Sequence, residues 1–186
     1  MPITKEILKN YPNQIFIECG SGKGNGIQAA LDAGFEEIHS IEIDPQLYND
    51  CKNRFYGNDK VDLYLGDSIN ILSMIMPVTY SANATFWLDA HPNAKHDPTG
   101  LMRCPLLAEL AIIFGYGTEH TILIDDIRLC GRHQLGHITK QQIIDVIYAA
   151  NPFMQIEYID GHTKQDILVY QDGIEKEEEK QETNDA

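Results

Sequence analysis

The sequence predicts an α/β domain: a seven-stranded, mostly parallel sheet with helices on both faces, closed by a C-terminal antiparallel hairpin. Three observations predict it. Short runs rich in Ile, Leu, Val and Phe alternate with helical stretches, and strands separated by helices give a parallel sheet covered on both sides. The first run ends in glycines at alternate positions, Gly20-Ser21-Gly22-Lys23-Gly24-Asn25-Gly26. Acids stand at or just past the end of each of the first five runs, the edge of such a sheet where ligands bind.

The elements follow in order. The first strand is 15–18, and its helix covers about 25–33, ended by Gly34. The second strand is 38–43, and Pro45 opens a helix running to about Phe55. Residues 61–65 are the third strand, and Ser68 is placed to cap a short helix from Ile69 to Met76. The fourth strand is 85–89, and Pro105 opens an apolar helix to Phe114. Residues 120–126 hold the fifth strand, after which Thr139 caps a helix to Ala150, closed by Asn151-Pro152. The runs 155–159 and 166–170, joined through Asp160-Gly161, read as the closing hairpin.

With 186 residues, 43% hydrophobic and 23% charged, the chain fits one domain with a sizeable core. Residues 1–171 are expected to fold, whereas 172–186 carry seven acids and two lysines without aromatics and read as an acidic, disordered tail. No apolar run approaches the roughly 18 residues of a membrane span, and the first ten residues lack a secretory signal. A cytoplasmic protein with no membrane partner is expected. The four cysteines, Cys19, Cys51, Cys104 and Cys130, form no C-x-x-C pair, so reduced thiols are expected rather than a zinc site. The net charge of −14 counts against duplex nucleic acid as the main partner.

The glycine turn is the most informative stretch. Glycines let a ligand approach the backbone, and the turn lays amide N–H groups open to it. Glu42, at the end of the second strand, is placed to accept hydrogen bonds from ribose hydroxyls, which favours an adenosine-containing cofactor. The pattern is not a P-loop, because Gly22-Lys23 is followed by Gly24, and it is not G-x-G-x-x-G, because positions 25 and 27 are Asn and Ile.

From about Ile15 to Tyr170 the chain resembles the class I S-adenosylmethionine-dependent methyltransferases, a Rossmann-like family. Glu18-Cys19-Gly20-Ser21-Gly22-Lys23-Gly24 is similar to its first motif, Glu42 to its ribose-binding acid, and Gly66-Asp67-Ser68 to the loop whose acid receives the adenine amino group. The resemblance implies S-adenosylmethionine as cofactor. It places Glu18, Gly20, Ser21, Gly22, Gly24, Glu42, Asp67, Ser68 and Asp89 around it. Lys23 is unusual beside a sulfonium and is either a solvated side chain or a partner of the cofactor's carboxylate.

Phe86-Trp87-Leu88-Asp89-Ala90-His91 and Ile122-Leu123-Ile124-Asp125-Asp126 look like the two ends of a metal-dependent O-methyltransferase site. By that resemblance Asp89, Asp125 and Asp126 hold magnesium, which takes carboxylate oxygens and can bind a substrate alkoxide. The alternative makes Asp89 a cofactor-side acid and Asp126 a turn cap. Asp89 and His91 are the candidate catalytic residues, His91 as a general base or as a loop-shaping group. Residues 92–103 read as a turn-rich loop over the substrate, and Trp87 as core. Arg128 reads as a salt-bridge partner, Glu109 as a solvated helix position, and His133 with His137 as a solvated pair.

The expected activity is methyl transfer to an oxygen of a small-molecule acceptor. Segments of the chain also resemble uncharacterised methyltransferase-like proteins, which leaves a non-catalytic cofactor-binding module as the alternative. Nucleic-acid methylation is a third reading. It is weakened by the acidic body and by Asp89-Ala90-His91-Pro92, where amino-methylating enzymes carry an Asn- or Asp-Pro-Pro-aromatic motif.

Overall fold

The computed structural model describes residues 3–79, 82–91 and 104–172. The expected covering loop 92–103, with His96, and the acidic residues 173–186 lie outside them. Strands β1 (Ile15–Cys19), β2 (Glu37–Glu42), β3 (Val61–Leu65), β4 (Ala84–Leu88), β5 (Thr121–Ile124), β6 (Gln155–Ile159) and β7 (Ile167–Gln171) form one sheet in the order β3-β2-β1-β4-β5-β7-β6. The pairs from β3 to β5 are parallel, and β7 runs antiparallel to both β5 and β6. The helices are α1 (Lys5–Leu8), α2 (Asn25–Ala33), α3 (Pro45–Arg54), α4 (Ser68–Thr79), α5 (Leu106–Tyr116) and α6 (Lys140–Ala150).

Alternation along each strand sends side chains to two cores. Ile15, Ile17, Phe86, Leu88, Ile122 and Ile124 pack with Leu72, Leu110 and Ile147 from α4, α5 and α6. Phe16, Ile38, Trp87 and Leu123 pack on the other face with Leu8, Ile27 and Cys51 from α1, α2 and α3. Trp87 is 2% exposed, so its core assignment holds.

Most ends are set by the expected local chemistry. Gly34 ends α2 in the left-handed region, Asp44 caps α3 ahead of Pro45, and Thr139 with Gln142 forms a capping box on α6. Three expectations need correction. α4 continues through Pro77 to Thr79, because a proline in the last turn removes one amide without blocking the turns before it. The side chain that receives an amide at its start is Asp67, which accepts from Ile69 N–H at 2.9 Å, not Ser68. Glu109 is 1% exposed, not solvated.

The strand order fixes where a ligand sits. After β1 the chain builds outward to β3, then returns to lay β4 on β1's other side, so the crossovers diverge between these two strands. The crevice at their carboxyl ends is the topological switch point.

Candidate active site

The glycine turn ends β1 by folding against β2 and β4. Gly20 and Ser21 donate their amide N–H groups to Ile41 O at 2.9 and 3.1 Å, and Gly24 donates to Ser21 O at 2.8 Å. Gly22 N–H donates to Glu42 Oε2 at 2.8 Å. These four amides are therefore used inside the protein, and what the turn offers a ligand is room. Gly20 has φ +96°, and a Cβ there would meet Asp89 O at 3.0 Å; Gly22 has φ +53° and open space where its Cβ would be.

The turn forms one wall of a cleft of about 310 Å³, which also meets Glu18, Trp87, Asp89, His91, Asp125, Asp126 and Arg128. Small-molecule sites have volumes of this order, about 300–1,000 Å³. Glu18 is buried, accepts from the Ser40 hydroxyl at 2.5 Å, and is pushed up to about 8 by burial. Lys23 also lines the cleft and is exposed.

Glu42 ends β2 and meets the turn at Gly22, and Asp67 lies past the end of β3; neither lines this cleft. Glu42 is 6% exposed, and its Oε1 accepts from Asp44 N–H at 2.9 Å. With Gly22 on the other oxygen, each carboxylate oxygen keeps a lone pair for a further donor. Ser68 is buried and turns its hydroxyl to Glu109 Oε1 at 2.5 Å. Burial pushes Glu109 up to about 7.

At the ends of β4 and β5 the acids form a network with two cations. His91 Nε2 lies 2.7 Å from Asp126 Oδ2 and 3.4 Å from Asp89 Oδ1. Arg128 Nη1 pairs with Asp126 Oδ1 and also with Asp166 Oδ2. Asp125 Oδ1 accepts from Asp126 N–H at 2.8 Å. Asp126 takes the left-handed region at φ 59°, which starts the single 3₁₀ turn Ile127–Leu129 and brings Arg128 back over it.

The charges sort accordingly. Burial, then Asp125, push Asp89 up to about 7, with His91 opposing. Burial raises Asp125 to about 6. Burial acts against Asp126 as well, but the His91 hydrogen bond and the charges of His91 and Arg128 prevail and hold it below the usual carboxylate range. The Asp126 hydrogen bond holds His91 above its ordinary value against burial. Among the described residues, His91 Nδ1 is buried without a hydrogen-bond partner. Three acids of the cleft, Asp125, Asp89 and Glu18, are thus raised towards neutrality, and Asp89 is the one beside His91.

Among the described residues, two groups bring carboxylate or imidazole atoms within 4.8 Å of one another: Asp89 with His91 and Asp126, and Asp125 with Asp126 and Asp166. The expected set of Asp89, Asp125 and Asp126 is thus divided between two groups that share Asp126. His133 and His137 lie apart from the cleft, exposed, with ring centroids 6.0 Å apart.

No protein-family model matches the chain. Over 122 residues it is 30% identical to the ribosomal RNA small subunit methyltransferase A of Prochlorococcus marinus (strain MIT 9312), a match covering 64% of this chain and 41% of that protein. The chain thus spans less than half the length of this relative. Among solved structures, the O-methyltransferase of Bacillus cereus in complex with SAH superposes with a TM-score of 0.63 at 13% identity, covering 89% of this chain and 76% of that one. The O-methyltransferase TomG of Streptomyces achromogenes in complex with SAM gives 0.64 at 12% identity, covering 91% and 78%. The chain has the class I methyltransferase fold.

Within the class I fold, the structure brings Glu18, Gly20, Ser21, Gly22, Asp89, His91, Asp125 and Asp126 to one cleft. It sets Glu42 against the turn, leaves Asp67 and Ser68 past the end of β3 outside that cleft, and packs Gly24 against Phe55, 2.6 Å from where its Cβ would be. Sequence reasoning missed Asp166, 1% exposed and bonded to the Arg128 amide at 3.0 Å. Its signal was an acid opening the last strand, which becomes legible once β7 is known to lie beside β5. No helix among the described residues is long and apolar enough to cross a membrane.

Proposed function

We propose that the chain is an S-adenosylmethionine-dependent methyltransferase that methylates an oxygen of a small-molecule acceptor, with Asp89 as general base. One observation carries the reading. The glycine turn and the acids ending β4 and β5 line the same cleft, so a cofactor seated on the turn has its reacting end beside ionisable groups.

The residues fit the cofactor. The open space at Gly22 leaves room against the backbone, and Glu42 retains lone pairs for ribose hydroxyls. Asp67 stands at the end of the neighbouring strand β3 for the adenine. When bound, S-adenosylmethionine supplies a methyl carbon on a sulfonium sulfur. Asp89 would take the proton of an acceptor hydroxyl held beside that methyl group. A carboxyl at about 7 is matched to that task at neutral pH. Asp126, held between His91 and Arg128, keeps the imidazole beside Asp89.

Asp89, Asp125 and Asp126 do not fit magnesium as they stand, because both oxygens of Asp126 are already paired with cationic side chains.

A second reading, methylation of nucleic acid, is favoured by the name of the sequence relative. The net charge of −14 and the acids of the cleft oppose it. The test begins with calorimetric titration of S-adenosylhomocysteine into the chain and into Glu42→Ala. Transfer of labelled methyl to polyhydroxylated small molecules is then compared with transfer to ribosomal RNA. Binding lost in Glu42→Ala and label on a small-molecule oxygen support the proposal. Label on RNA selects the second reading, and binding without any transfer selects the non-catalytic module.

A further inference from the structure

Asp125, Asp126 and Asp166 are buried, with carboxylate oxygens within 4.8 Å of one another. Three such acids repel one another unless a cation lies among them. Arg128 supplies one. Its Nη1 touches Asp126 and Asp166 together, its own amide donates to Asp166 Oδ1 at 3.0 Å, and Thr163 N–H reaches Asp166 Oδ2 at 3.3 Å.

We propose that Arg128 is a built-in counter-cation that closes this carboxylate cluster to divalent metals, so that the site is organised without one. Magnesium needs near-octahedral oxygen donors at about 2.0–2.1 Å. Here both oxygens of Asp126 and both of Asp166 already accept hydrogen bonds. An ion bound to either carboxylate would stand close to a guanidinium. Arginine suits the role because it does not give up its proton to make way for a metal, and because its fork can bridge two carboxylates. The left-handed Asp126 and the one-turn helix after it fold Arg128 back over the acid two positions earlier. Arg128 is thereby a positioning residue: it fixes Asp126, and Asp126 holds His91.

The inference rests on the proposed function only in taking this cluster as the acceptor end of the cleft. Its test needs neither cofactor nor acceptor, so the two can fail separately. Manganese binding to the full chain is read from loss of the aqueous ion's paramagnetic resonance signal, counting only the part that Asp126→Asn removes. Thermal melting checks each variant's fold. The wild type should leave the signal unchanged at equimolar ion. Arg128→Met should bind at least about tenfold more tightly than the wild type, a factor in the range of one charge-assisted pair. Arg128→Lys, which keeps a cation, should still exclude the ion. Wild-type binding that Asp126→Asn abolishes overturns the proposal. So does a folded Arg128→Met without the gain. If the methionine variant does not fold, Arg128→Gln takes its place, and the wild-type measurement decides independently of either.

Discussion

A Cβ on Gly26 would lie 1.8 Å from Oε1 of Glu18. The first turn of α2 and the buried acid of β1 therefore share space that only hydrogen can fill. Gly26→Ala should destabilise the chain by about 1–3 kcal/mol, the usual cost of overpacking, despite alanine's advantage of about 1 kcal/mol in a helix. In a Glu18→Ala background the same change should be neutral or stabilising. A denaturation double-mutant cycle measures this coupling, and equal costs in both backgrounds would refute it.

Glu18 also links stability to pH. Burial raises its folded-state value from 4.5 to about 8, so the folded chain keeps a proton that the unfolded chain releases. Its contribution is fully present below about 4.5 and is lost as pH rises towards 8. Glu18→Gln should be more stable than the wild type by at least about 1 kcal/mol at pH 8, with the difference vanishing near pH 4. Urea midpoints at the two pH values check it, and a constant offset would contradict the linkage.

Asp89 should give the activity its acid limb. A base at about 7 must lose its proton to act, so turnover should rise through neutrality and level off above it. Asp89→Asn should lower the methyl-transfer rate by about 10²–10⁴-fold while leaving S-adenosylhomocysteine affinity within a few-fold. An unchanged rate, or a profile flat from pH 5 to 9, would remove Asp89 from the role.

His120 lies at the opposite end of the sheet, just ahead of β5, 4% exposed. Its Nδ1 accepts from Ala84 N–H at 3.3 Å, and its Nε2 is buried without a hydrogen-bond partner among the described residues. Burial lowers its value below 6.5, so the unfolded chain takes up a proton that the folded one refuses. The His120 contribution should fall as pH drops below about 6.5, opposite in sign to that of Glu18. His120→Gln should remove that component and change the slope of stability with pH. Parallel slopes for variant and wild type between pH 7 and 5 would exclude the histidine as its source.

The sheet was legible in the sequence because each strand is a short apolar run bounded by Gly, Pro, Asn or Asp, and because the acids fall at one edge. β3 and β6 match the expected 61–65 and 155–159, and other boundaries moved by a residue or two. The one-turn α1 was missed, since four residues carry no period to read. Glu109 was misjudged because an acid on an apolar helix reads as its wet face. Only the meeting of α5 with Ser68 and the end of β1 makes it a buried hydrogen-bond acceptor. The network joining Asp126, Arg128 and Asp166 spans 40 residues of chain and depends on strand order, which periodicity does not encode.

That strand order bears on how the protein is made. β7 lies between β5 and β6, although both neighbours leave the ribosome before it. Until Ile167–Gln171 emerges, β5 keeps a bare edge where β7 will pair, and Arg128 has one carboxylate instead of two. Emergence of β7 therefore inserts a strand between β5 and β6 and delivers Asp166 with it. Nascent chains halted before that point should expose a sticky sheet edge to chaperones and hold an unfinished site.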